Sequence, residues 1–408
     1  MFSTGKLKAV LHPWGGGITA FFTYTHLSHD LCTGLLVALL PLIRESLGLS
    51  YLQSGLLLSA YTITSGLSQF PGGWLGDRFR RNIVIATGLG GVGFMALAVG
   101  LSPAYYPMLF ILVVMGIFAG AYHPSAVSML SGYFEATRRG KVIALHQVGG
   151  SIGFAIGPIL GGLIAEFLGW RYAFIMLSIP ALSTIPLILK KFKPLEPVYS
   201  SNARNEPSQN DASPAQPRHQ GISIFQVLKP IAIIFALAVI MHLIAGSAMA
   251  FIPIYLVDKH YLAPAYAAMM MGIVRGGGIA GSLFGGWLSD KWGRKNAIFL
   301  SLVATGLVLY LFTRLPFNAG LVVVLILFGI LMYMRQTTVQ PFLMDSVPAQ
   351  LRATVFGIYF GLGLEGQSLV QPVAGYFMDI FGIVAVFNGI ALTCVGLSLV
   401  SLLLAKKA

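Results

Sequence analysis

The chain has 408 residues, 56% of them apolar and only 10% charged, with a formal net charge of +13 and a mean hydropathy of +0.80. A soluble domain carries about 25% charged residues, so an ordinary soluble globular protein is excluded: it would have no surface on which to place so little charge. The basic residues are scattered over short loops and form no contiguous face, which excludes nucleic acid as a partner.

About 20 apolar residues cross a bilayer core, and the chain offers such segments repeatedly. The first span, 17–43, carries His-Leu-Ser-His-Asp at 26–30. No short apolar core with a cleavage site precedes it, so it is expected to stay as an anchor. The second, 51–74, runs into GGWLGDRFRRN at 72–82. Spans at 83–102 and 105–132 follow, the latter carrying Tyr-His-Pro at 122–124. The fifth, 141–168, contains HQVGG at 146–150 and GPILGG at 157–162, and 172–189 closes the first half. From Lys190 to Gln220 the sequence turns to Pro, Ser and Asn and loses large apolar residues, a composition that cannot bury a core and reads as a linker. The second half gives spans at 224–256, 264–288, 297–313, 319–343, 353–378 and 382–405. The expected organisation is a six-helix bundle over 1–189, a cytoplasmic linker over 190–222, and a second bundle over 223–408. Cys32 and Cys394 lie inside apolar runs near opposite ends of the chain and imply packing, not a disulfide framework.

Charge placement orients the spans. Twenty of the 26 Lys and Arg fall on one side, four (Arg44, Arg171, Lys259, Arg314) on the other, and Arg275 and Arg335 within helices. The positive-inside rule then places both termini and the linker in the cytoplasm.

The halves repeat. GGWLGDRFRRN recurs as GGWLSDKWGRKN at 285–296, so Asp77 matches Asp290 at an offset of 213; the same offset carries Arg139 onto Arg352 and Gly153 onto Gly366, while Pro41 matches Pro253 with one residue less. Two homologous bundles are a transporter architecture.

These loops resemble the signature loop of the major facilitator superfamily. The second copy (Gly286, Asp290, Lys291, Gly293, Arg294, Lys295) fits that pattern; the first has Arg80 in the glycine place and Asn82 in the last basic place. The resemblance implies an all-α membrane protein of twelve transmembrane helices in two pseudo-symmetric bundles. It also implies a gate latch built from Asp77, Arg78, Arg81, Arg139, Asp290, Lys291, Arg294 and Arg352; a merely solvated charged turn is the alternative. Gly153, Gly157, Pro158, Gly161 and Gly162 resemble the antiporter motif of drug exporters, with Ala144 in the leading glycine's place, and packing explains the same glycines. Met115 stands where proton-coupled exporters commonly carry an arginine. His26, Asp30, His123, Pro124 and Gln147 are similar to the fosmidomycin-resistance subgroup, whereas His29 and His146 are particular to this chain.

Intramembrane ionisable residues each need a reason, because a charge at mid-bilayer costs about 2.5–3.5 kcal/mol. His26, His29, Asp30, His123, His146, His242, Arg275, Arg335 and Glu365 avoid spans 3, 6, 9 and 12, the spans that face lipid in the family. Asp30, with His26 one turn away, reads as a proton-coupling carboxylate, a static ion pair being the alternative. Glu365 reads equally as a coupling group or as the partner of Arg275 or Arg335. Arg275, Arg335, His123, His242 and Gln147 are the expected substrate contacts. For His123 and His242 singly, interhelical hydrogen bonds compete with that role, and His146 suits gating or packing.

The expected function is proton-coupled export, by alternating access, of a small anionic or amphiphilic organic compound across a bacterial inner membrane by a monomer. An organic-anion importer is the main alternative, followed by a divalent-metal exporter using His26, Asp30 and His242 as ligands. No enzyme activity, cofactor or resident metal is expected; the partners are a small-molecule substrate, protons and lipid.

Overall fold

The computed structural model describes residues 16–191, 229–348 and 366–405, with positions 351, 355, 358, 359, 361 and 362. Nearly all of the expected linker, together with Arg352 and Glu365, lies outside the described residues. Twelve helices are found there: α1 (Gly16–Leu47), α2 (Tyr51–Arg78), α3 (Arg81–Leu101), α4 (Tyr105–Gly132), α5 (Ala136–Leu168), α6 (Trp170–Lys191), α7 (Ala232–His260), α8 (Pro264–Trp292), α9 (Arg294–Arg314), α10 (Ala319–Ser346), α11 (Gln367–Phe381) and α12 (Ile383–Ala405). Ten are long and apolar enough to cross a membrane. The other two are α2, rich in Ser, Thr, Gln and Gly, and α11, of which 15 residues are described. Both face the partner bundle, where lipid does not dictate composition.

Packing follows the sequence repeat. Within the first bundle α2 packs on α4, α3 on α6 and α1 on α5; within the second α8 packs on α10 and α9 on α12. Between bundles, α5 packs on α8 and α2 on α11, and these two contacts exchange under the pseudo-two-fold. Large apolar side chains on the helices remote from the bundle interface, such as Phe94 on α3 and Leu403 on α12, are exposed, as a lipid-facing surface requires.

The helices outrun their apolar stretches. Helix α2 continues to Arg78 and α8 to Trp292, and α5 begins at Ala136 instead of 141. Asp77, Arg78, Asp290, Lys291 and Arg139 therefore stand on helical turns, and the two signature loops shrink to Phe79–Arg80 and to Gly293. Hydropathy ends a span where charge begins, but backbone hydrogen bonding continues beyond it. Gly293 has φ +94° while its counterpart Arg80 has φ −62°. Only the second copy needs glycine, because only there does the backbone enter the region that side chains disfavour.

Candidate transport site

The interior of the first bundle is polar around Asp30. His29 Nδ1 lies 2.6 Å from Asp30 Oδ1, and His26 Nε2 lies 3.4 Å from Asp30 Oδ2. All three side chains are buried. His26 Nδ1 is 3.0 Å from the carbonyl of His146, and His146 Nδ1 is 2.8 Å from the carbonyl of Phe22. A carbonyl only accepts, so both Nδ1 atoms carry hydrogen. His123 from α4 meets the His29 ring edge-on at 4.6 Å between centroids, and Tyr122 stacks on His29 at 4.9 Å. Helix α5 approaches this cluster along bare backbone: a Cβ at Gly150 would stand 2.5 Å from His26 Nε2 and 2.7 Å from Asp30 Oδ2. The HQVGG run thus makes the seat for the α1 acid.

Between the bundles lies a cavity of roughly 260 Å³, lined from α1, α2, α5, α7, α8, α10 and α11 and by nothing from α3, α6, α9 or α12. Arg275 enters it from α8. Its guanidinium rests 4.7 Å from the centre of the Phe154 ring, and Nη1 fills the notch left by Gly34, 3.0 Å from where a Cβ would stand. That places the cation one turn along α1 from Asp30. Tyr61, Tyr333, Thr62, Gln367 and Gln371 share the lining. Buried Arg275 Nη1 and Gln371 Oε1 have no hydrogen-bond partner among the described residues.

The two expected arginine ligands part company here. Arg335 is fully buried inside the second bundle, with Nη2 3.2 Å from His242 Nδ1 and Nη1 3.4 Å from Thr305 Oγ1; neither it nor His242 is among the cavity-lining residues. Guanidinium only donates, so His242 Nδ1 accepts and its proton sits on Nε2. By the repeat, His242 stands where α1 has Asp30 and Arg335 where α4 has Tyr122, so both bundles bury polar side chains at these equivalent positions, although only His242 and Arg335 bond each other. Gln147 is exposed on α5 and does not line the cavity.

The two faces of the molecule differ. On the face with the signature loops, Arg81 reaches Asp77 at 3.5 Å, and Arg294 reaches Asp290 at 2.8 Å and Asp345 at 3.1 Å. Arg139 caps the end of α4 through the carbonyls of Ser131 and Phe134. Among the described residues these charge contacts all stay within one bundle. On the opposite face the bundles are tied together. Asp258 of α7 accepts from Arg44 Nη1 at 3.1 Å and from Tyr51 Oη at 2.5 Å. Asp379 of α11 accepts from the backbone N–H groups of Tyr51 and Leu52 at 2.8 and 2.9 Å. Deeper in, the Ser59 hydroxyl bonds the Ser368 carbonyl. The cavity is therefore sealed on the face without basic loops. Sequence reasoning missed Asp258, Tyr51 and Asp379 and used Arg44 only as an orientation count. The available signal was that Arg44, Asp258 and Asp379 end spans on the charge-poor side.

Comparison with known proteins agrees with this architecture. The sequence pattern of the Major Facilitator Superfamily matches residues 22–365. The chain is 23% identical to the fosmidomycin resistance protein of Escherichia coli (strain K12), over 89% of this chain and 86% of that protein. It is 25% identical to the hexuronate transporter of Bacillus subtilis (strain 168), over 98% and 93%. Among solved structures, a bacterial homologue of the human lysosomal transporter Spinster, in an inward-facing and occupied conformation, superposes with a TM-score of 0.77 at 16% identity, covering 99% of this chain and 98% of that one. Twelve helices in two repeated bundles around a shared cavity, together with a family match spanning most of the sequence, make this chain a multi-pass membrane transporter, not an enzyme, of the major facilitator superfamily.

Proposed function

We propose that the chain is a proton-coupled exporter of a small organic anion, working as a monomer in a bacterial inner membrane with both termini in the cytoplasm. The observation that carries this reading is the cavity itself. Arg275 lines it with an N–H that has no partner among the described residues, and the buried Asp30 lies one turn back along α1, just outside the lining. A guanidinium binds carboxylate or phosphonate through parallel hydrogen bonds, and aromatic walls with two glutamines suit an organic body bearing hydroxyl or amide groups. The positive-inside rule puts the signature-loop face in the cytoplasm, so the sealed face is the outer one. Asp30 takes up a proton when the site opens outward and gives it up inside, while the anion travels the other way. The latch residues Asp77, Arg78, Arg81, Arg139, Asp290, Lys291, Arg294 and Arg352 then serve the state closed to the cytoplasm. Arg335 and His242 hold α7, α9 and α10 together inside the second bundle.

Flux in proteoliposomes tests this, with fosmidomycin and a hexuronate as probes and an imposed pH gradient. Accumulation of the anion against the direction of proton flow supports export; accumulation with it makes the protein an importer. Asp30→Asn should abolish gradient-driven accumulation while leaving anion exchange at equal pH. Undiminished gradient-driven accumulation by that variant would remove Asp30 from the coupling mechanism.

A further inference from the structure

The proton seat has the donor set of a different ion. His26 Nδ1 is committed to a carbonyl, so in the neutral ring Nε2 presents a lone pair; it faces a carboxylate oxygen of Asp30 at 3.4 Å. Two acceptors facing one another need a cation between them. A proton is one such cation. Beside them a ring nitrogen of His123 completes a set of three ligand atoms, all within 4.8 Å of one another.

We propose that His26, Asp30 and His123 form a binding site for a divalent transition-metal cation of the zinc class, inside the first bundle. Two imidazoles and a carboxylate suit Zn²⁺, Co²⁺ or Ni²⁺ over Mg²⁺ or Ca²⁺. Metal–ligand bonds of about 2.0–2.1 Å put the corners of a tetrahedron roughly 3.3 Å apart. The His26–Asp30 edge already has that length, and the His123 nitrogen, within 4.8 Å of both, has to move inward to close the third corner. The groups behind the ligands are in place too. Metal-bound histidines donate their other N–H to a carbonyl or carboxylate, and metal-bound carboxylates are themselves hydrogen-bonded. Here His26 donates to the His146 carbonyl and Asp30 Oδ1 pairs with His29.

Two further observations point to a ligand. Gly150 leaves bare backbone beside Nε2 and Oδ2, in space that a Cβ would fill. His29 Nε2 and His146 Nε2 are buried with no hydrogen-bond partner among the described residues, so the cluster holds more ring-nitrogen lone pairs than its own hydrogen bonds use. His242, the third ligand that the sequence alone suggested, sits in the other bundle against Arg335. The site itself does not depend on proton coupling. Its consequence for transport does: a cation in the proton's place blocks the cycle, so added metal inhibits flux.

The test is equilibrium binding of Zn²⁺ to purified, tag-free protein by titration calorimetry, with Mg²⁺ as the competing ion. We expect one saturable site that Mg²⁺ does not displace. His123→Ala and His26→Ala should each weaken it about tenfold or more, and His260→Ala, remote from the cluster, should leave it unchanged. Each variant is first checked for a monodisperse elution profile; one that aggregates is replaced by His123→Asn or His26→Gln. Absence of saturable binding, displacement by Mg²⁺, or wild-type affinity in both cluster variants overturns the proposal. Because no gradient is applied, these outcomes are independent of whether Asp30 couples protons.

Discussion

Asp258→Ala removes the acceptor that ties the bundles on the sealed face. Arg44 and Asp258 are partly buried, with side chains 26% and 22% exposed, and Tyr51 Oη bonds the same carboxylate. A charge-assisted hydrogen bond contributes about 1.5–3 kcal/mol, whereas an exposed ion pair gives about 0.2–1 kcal/mol. Partial exposure puts the Asp258 contacts between these limits, near 2 kcal/mol. They exist only when this face is closed, so losing them shifts the equilibrium towards opening by roughly thirtyfold. The assay is the rate at which an impermeant maleimide labels a cysteine at Val37 in the cavity wall from that face, with buried Cys32 and Cys394 replaced by serine. We expect the rate to rise about thirtyfold in Asp258→Ala. Arg44→Ala should have a similar effect, and the double variant should fall short of the sum because the residues share one interaction. An unchanged labelling rate in folded Asp258→Ala protein would refute the assignment of this contact as a gate.

Gly150→Ala drives a methyl group into His26 and Asp30 and should lower stability by about 1–3 kcal/mol; gradient-driven flux should fall further than equal-pH exchange. Gly293→Ala forces a side chain into an extended positive-φ backbone (φ +94°, ψ +147°) and should cost about 1–3 kcal/mol, read as a lower melting temperature, whereas Arg80→Gly at the equivalent position should not raise it. Arg275→Lys should weaken anion binding and Arg275→Ala nearly abolish it, with neutral compounds little affected. Recovery of anion transport in Arg275→Ala combined with Glu365→Ala would show instead that Arg275 serves only to balance that acid.

Span number, the two-fold repeat and the sparing of α3, α6, α9 and α12 were legible because lipid imposes its chemistry on long stretches of sequence. Asp30 and its histidines were legible for the same reason: polar groups at that depth stand out against their surroundings. Arg335 stood out equally, but depth says nothing about direction, and only packing shows that it turns into its own bundle. The gate was not legible. Arg44 and Asp258 are 214 residues apart, each looks like an ordinary charge at the end of a span, and only the docking of two bundles makes them partners. Gly150 was legible only as part of the HQVGG run, and three-dimensional packing was needed to see that it clears room for the α1 acid.

The start of α2 shows how such a molecule can part without unravelling. Four N–H groups at a helix start lack partners within the helix. Ser50 and Gln53 take care of two of them through a reciprocal capping box, and Asp379 from the other bundle takes the remaining two. The first pair travels with the helix; the second is lent by its neighbour. When the face opens, water replaces Asp379 while the capping box keeps the first turn wound. The joint is therefore a plug in a socket already finished, and undocking requires no refolding on either side.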